Sequence, residues 1–185
     1  MKKTLKLMVV ALLFGAAVAV PSKADAQKFG HINSQEIVAL MPERESAIVK
    51  LQKFGKELTE VQQAMQKDFE AKLKEYQDKR ATWTEATIKV KEEELTSLQQ
   101  RIEQYTQTAQ QDFNSRQEAL LTPVMKKAQE AIDKVAKAQG ITYVFDLATG
   151  AIIYTDETSS VNLLPLVKAE LGIPASKVQP TQFQQ

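Results

Sequence analysis

"ATWTEAT", residues 81–87, interrupts an otherwise continuous helical composition: between Gly55 and Pro123 there is neither glycine nor proline, and Gln, Glu, Lys and Ala dominate. These are strong helix formers without punctuation. Threonine forms helix less well and bonds locally to backbone, so three threonines around the only tryptophan mark a bend. Ahead of it, Leu51, Phe54, Leu58, Val61, Met65, Phe69, Leu73 and Tyr76 recur at gaps of three and four, which is one helical stripe. Behind it, Leu95, Leu98, Ile102, Tyr105, Ala109, Phe113 and Leu120 make a second. Read outward from Glu85 and Ala86, the stripes mirror each other: Tyr76 falls opposite Leu95, Phe69 opposite Ile102, Met65 opposite Tyr105 and Leu58 opposite Phe113. Only Phe54 lacks an apolar mate, since Arg116 and Gln117 sit opposite. A straight helix over residues 51–120 would reach about 100 Å, and a folded one about half that. The mirror predicts an antiparallel helical hairpin rather than a long straight coiled coil.

Outward from this arm, residues 27–50 and 121–174 read as one small α/β oligomerisation body split by the insertion. Asn33 with Glu36 three positions on opens a short helix, and Pro42 separates it from the ascending one. Pro123 is expected to kink or break the descending helix. Leu120, Leu121, Val124, Met125, Ala128, Ala131, Ile132 and Val135 then widen the apolar face, and Gly140 stops the helix. In "ITYVFDLATGAIIYTD", residues 141–156, Ile141, Tyr143 and Phe145 alternate with polar or smaller residues, and after Gly150 the run Ala151 to Tyr154 returns, so a two-stranded hairpin is expected. "KFGHIN", residues 28–33, supplies a third strand beside it. "NLLPLVKAELGIP" closes the body as a short helix with Pro165 in its first turn, and residues 175–185 read as a loose polar tail. The fold class is mainly α with a small β body. Phe29, Ile32, Ile141, Tyr143, Phe145 and Ile153 are its candidate oligomerisation residues, because so small a base bracing long arms is expected to associate.

Residues 1–26 carry Lys2, Lys3 and Lys6, an apolar run from Leu7 to Val20, and the small-x-small pattern Ala24-Asp25-Ala26. This is a secretory signal, too short for a membrane span, with the mature chain starting near Gln27. The formal charge of the whole chain, +1, then misleads: the mature chain has 20 basic and 22 acidic groups, a balance that excludes wholesale nucleic-acid binding. Without cysteine the chain forms no disulfide and carries no lipidated N-terminal cysteine.

No phosphate loop, nucleophile elbow or metal-ligand spacing appears, so no cofactor and no enzyme is expected. His31, the sole histidine, reads as a structural strand residue, and Glu92, Glu93 and Glu94 as a solvated run whose members point to different helix faces. Met65, Phe69, Tyr76, Trp83 and Tyr105 are candidate client contacts, although helical spacing assigns most of them to the hairpin's own seam. At Trp83 two readings stand: contact of the tip with a client or membrane lipid, and local packing. Lys72, Lys74, Lys79, Arg80, Lys89 and Lys91 make the tip locally positive.

"FGHINSQEIVALMPE", the uninterrupted hairpin, "ITYVFDLATGAIIYTD" and "NLLPLVKAELGI", in that order, resemble the Skp/OmpH family of periplasmic chaperones over nearly all of the mature chain. The resemblance implies a homotrimer with a β-barrel-like base and helical tentacles around a cavity. It further implies an ATP-independent periplasmic holdase for unfolded outer-membrane β-barrel proteins. One departure stands out: familiar members are strongly basic, whereas residues 51–120 carry 11 basic and 13 acidic groups. That balance weakens any electrostatic grip on anionic clients or on lipopolysaccharide. The rival reading is a coiled-coil scaffold or tether in the envelope with a specific folded partner.

Overall fold

The computed structural model of the chain describes residues 27–178; the expected signal and the last seven residues lie outside the described residues. In chain order the elements are β1 (Phe29–Ile32), α1 (Ser34–Leu40), α2 (Pro42–Lys79), a 3-10 turn (Arg80–Thr82), α3 (Glu85–Ala138), β2 (Tyr143–Asp146), a 3-10 turn (Leu147–Thr149), β3 (Ser160–Asn162) and α4 (Leu164–Glu170). Caps explain most of the boundaries. Asn33 accepts the Glu36 N–H at 3.0 Å and starts α1. Pro42 occupies the first turn of α2, where its missing N–H costs nothing. At the end of α3, Gly140 takes φ +64° while its N–H reaches the Lys137 carbonyl and the Ile141 N–H reaches Ala136. This paired bonding satisfies the last carbonyls and releases the chain toward β2.

α2 and α3 form the expected antiparallel hairpin, but its register differs from the sequence mirror. Tyr76 donates to Glu92, three residues before its expected mate Leu95, and Phe113 closes on Gly55, three residues before its expected mate Leu58. The cause is the turn. Thr84 caps α3 by accepting the Thr87 N–H at 3.3 Å, and the Thr82 hydroxyl donates to the Lys79 carbonyl at 2.7 Å. The apex therefore sits at residues 80–84, ahead of the predicted Glu85 and Ala86. Pro123 does not break the descending helix either: α3 runs through it to Ala138. Its neighbour Val124 is buried in the base, and apolar packing there holds the helix despite the lost bond.

The sheet is a second correction. Its order is β2-β1-β3, and both pairings are parallel, with Phe29 opposite Tyr143 and Ser160. No antiparallel hairpin joins residues 141–156. The Ala151 to Tyr154 run lies in no strand, and Ile153 is 97 % exposed. The third strand is Ser160–Asn162, which sequence alternation did not mark. Two parallel neighbours of β1 must each be reached by a crossover: the arm and α3 provide the first, residues 147–159 the second. β3 feeds directly into Leu163, which is fully buried, and that anchorage outweighs the local strand character of residues 151–154.

The core lies on one face of this sheet. Ile32 from β1, Ile37 and Leu40 from α1, Val124, Ala128, Ile132 and Val135 from α3, and Leu163, Val167 and Ile173 around α4 close it. Each fully buried large side chain contributes about 1.5–3 kcal/mol of transfer free energy. Met125, expected in this face, points outward and is 61 % exposed.

Candidate functional site

The arm is built from the seam outward. Leu51 and Leu98 are buried in it, while Met65, Phe69, Tyr76, Tyr105 and Phe113 are half-buried. Polar groups cross it as well: Gln62 donates to Thr106 at 3.2 Å, and the Tyr105 hydroxyl donates to the Leu58 carbonyl at 3.1 Å. Gly55 sits inside α2, where a Cβ would meet the Phe113 ring at 3.3 Å, so the missing side chain lets the two helices close there. Beside it a cleft of about 280 Å³ opens between Leu58, Gln62, Thr106, Ala109 and Phe113. The apolar content of the hairpin is thus spent largely on itself, and its outer surface is mostly polar, although Val61, expected in the seam, and Val90 are exposed on it.

At the tip, Trp83 packs on Tyr76 with ring centroids 6.1 Å apart, and Lys91 lies over the indole at 5.9 Å. Arg80 lies 5.8 Å from the centre of the Tyr76 ring. The basic cluster is mostly engaged. Lys72 meets Glu94 at 2.5 Å, Lys91 meets Glu94 at 3.4 Å and Glu75 at 4.0 Å, and Lys79 meets Glu75 at 3.0 Å. Hydrogen bonding from Lys72, then from Lys91, holds the Glu94 carboxyl below its ordinary value, and Lys79 does the same for Glu75. The hydrogen bond to Glu92 pushes the Tyr76 phenol up. Only Lys74 and Lys89 of the six cations are exposed without a partner among the described residues. The charge count of the tip was legible in the sequence, but not that α3 brings Glu94 across to pair Lys72 of α2, with Glu75 shared between Lys79 and Lys91.

At the base, the sheet turns a second face away from the core. Phe29 stacks between Tyr143 at 6.2 Å and Phe145 at 5.9 Å, and the two outer rings are 55 % and 39 % exposed. Parallel sheets are ordinarily covered on both faces. Of the other candidate oligomerisation residues, Ile32 belongs to the chain's own core, Ile141 packs against it, and Ile153 projects into solvent with Tyr154, itself 80 % exposed. His31 ties β1 to β3 through Ser160 at 2.9 Å, a structural role. Asp146 does the same between β2 and α1. Burial alone would raise its carboxyl, but bonds from the Ser34 hydroxyl and N–H and from the Ala148 N–H outweigh it and hold the group below its ordinary value.

Among the described residues, no group of three or more His, Asp or Glu side chains could hold a metal ion, and no helix is long and apolar enough to cross a membrane.

The model of the OmpH-like outer membrane protein family matches residues 28–171. A protein of Photorhabdus laumondii named chaperone protein Skp is 25 % identical over 165 residues, which cover 89 % of this chain and all of that protein. The chaperone protein Skp of Vibrio cholerae is 24 % identical over 150 residues, 80 % of this chain and 89 % of its own. The crystal structure of an OmpH-like outer membrane chaperone from Caulobacter crescentus superposes with a TM-score of 0.68 over 79 % of this chain and 84 % of that one. At 14 % identity that likeness speaks for the fold alone. The family match runs from the first strand through both arm helices to the end of α4, and the chain belongs to the OmpH/Skp family.

Proposed function

We propose that the chain is an ATP-independent holdase of the periplasm, which loses its first 26 residues on export and shelters unfolded outer-membrane β-barrel proteins between its arms. Relatives named as chaperones, rather than as enzymes, support the reading. The observation that carries it is the hairpin itself. α2 alone, 38 residues long, extends about 57 Å, and the pair closes its own apolar seam while presenting a polar wall. A client that is a future barrel alternates apolar and polar residues and has unpaired edges prone to associate. A polar wall with half-buried aromatic rings offers it many weak contacts and no single tight one.

The proposed cavity needs more than one chain, and the exposed aromatic face of the sheet is where copies would meet as a homotrimer. Candidate client contacts are Met65, Phe69, Tyr76, Trp83 and Tyr105, with Lys74 and Lys89 as the free cations of the tip. Light scattering on urea-diluted β-barrel protein tests the reading. A modest molar excess of the chain is expected to suppress the rise in scattering for several unrelated barrels. No suppression overturns the holdase, and suppression absent for all but one folded partner points to a scaffold.

A further inference from the structure

Among the described residues, Lys168 is the only lysine, arginine or carboxylate that is buried, at 8 % exposed. A buried ammonium is costly unless its donors are satisfied. Among the described residues Lys168 has no carboxylate within ion-pair distance; its Nζ donates instead to the carbonyls of Ala175 and Lys177, each at 2.7 Å. The backbone delivers both. Gly172 takes φ +68°, its N–H reaches the Ala169 carbonyl at 3.1 Å, and the Ile173 N–H reaches Lys168 at 2.8 Å, so the chain reverses at the end of α4. Ile173 drops into the core, and the Lys177 N–H closes a turn on Pro174 at 3.0 Å. From there the Lys177 side chain lies 3.8 Å from Glu45 in the first turn of α2. On its other side that turn is gripped by Lys127 of α3 through Glu43.

We propose that residues 172–178 form a clasp seated by Lys168, which is a positioning residue for the ascending arm. The buried ammonium fixes the Ala175–Lys177 backbone and so sets Lys177 on Glu45 at the root of α2. An exposed ion pair alone holds little; here one partner is presented by a backbone already ordered from inside. The clasp is independent of the holdase reading, because it concerns how the arm is rooted and not what the arm holds.

The test uses the full chain, which has no native cysteine. Nitroxide labels at Gln63→Cys and Gln139→Cys, diluted with unlabelled protein, report the arm against the base, and amide exchange reports the clasp. Lys168→Met is expected to speed exchange at the Lys177 amide by about ten-fold or more, as loss of a charge-assisted hydrogen bond would, and to broaden the distance distribution. Lys168→Arg is expected to restore most of the protection. Lys177→Gln should broaden the distances while leaving the amides protected. Unchanged exchange in Lys168→Met overturns the clasp, as do unchanged distances in both variants. If Lys168→Met does not fold, Lys177→Gln and Glu45→Gln decide, and unaltered distances in both overturn it.

Discussion

Asp146 shows how one side chain at the end of a short strand can set the stability of the base. Its carboxylate accepts the Ser34 and Ala148 N–H groups at 3.0 and 2.9 Å and the Ser34 hydroxyl, fastening β2 to the start of α1. Asp146→Ala leaves those donors without an acceptor and is expected to cost about 2 kcal/mol in urea unfolding at neutral pH. Because the folded carboxyl lies below its ordinary value, this stabilisation is fully present above the unfolded carboxylate pKa and is lost as pH falls through the lower folded one. The gap between native chain and variant is therefore expected to be constant near neutrality and to close in strong acid; a gap that grows on acidification would contradict the assignment. Nothing in the sequence marked Asp146 beyond its place in an alternation, since Ser34, its partner across the base, lies 112 residues away.

Among the elements, the arm was the most legible. Its two stripes predicted a hairpin, and α2 and α3 form one, because helical periodicity is a local property that survives any change of partner. The register was not legible. It follows from where Thr84 caps α3, and a stripe with a 3.6-residue repeat slides by a few positions at little loss of apolar overlap. Pro123 makes the complementary point, since the local rule for proline yields to packing around Val124 and Ala128. Pro123→Ala restores a donor within hydrogen-bond reach of the Ala119 carbonyl and relieves a helix cost of up to about 3 kcal/mol. The variant is expected to melt at a higher temperature; an unchanged or lower Tm would mean that the proline contributes to the packing of the base. The strands were the least legible, because Ala151 to Tyr154 carries the local signature of a strand and Ser160–Asn162 does not.

For the whole molecule, the uncovered aromatic face and the projecting Ile153 and Tyr154 support the proposed assembly. Tyr143→Lys combined with Ile153→Lys is expected to reduce a trimeric mass in sedimentation to that of one chain, without loss of helix by circular dichroism. A native chain that already sediments at the single-chain mass would refute the assembly and, with it, any cavity shared between arms. By itself the sequence determined the helices, their doubling back and the boundaries at Asn33, Pro42 and Gly140, since each is a contest among near neighbours along the chain. The tertiary structure alone decided the parallel sheet, the hairpin register, the neutralised tip and the seat of Lys168. Those depend on groups far apart in sequence, whose meeting is governed by which surfaces the core can bury together rather than by any residue's own preference.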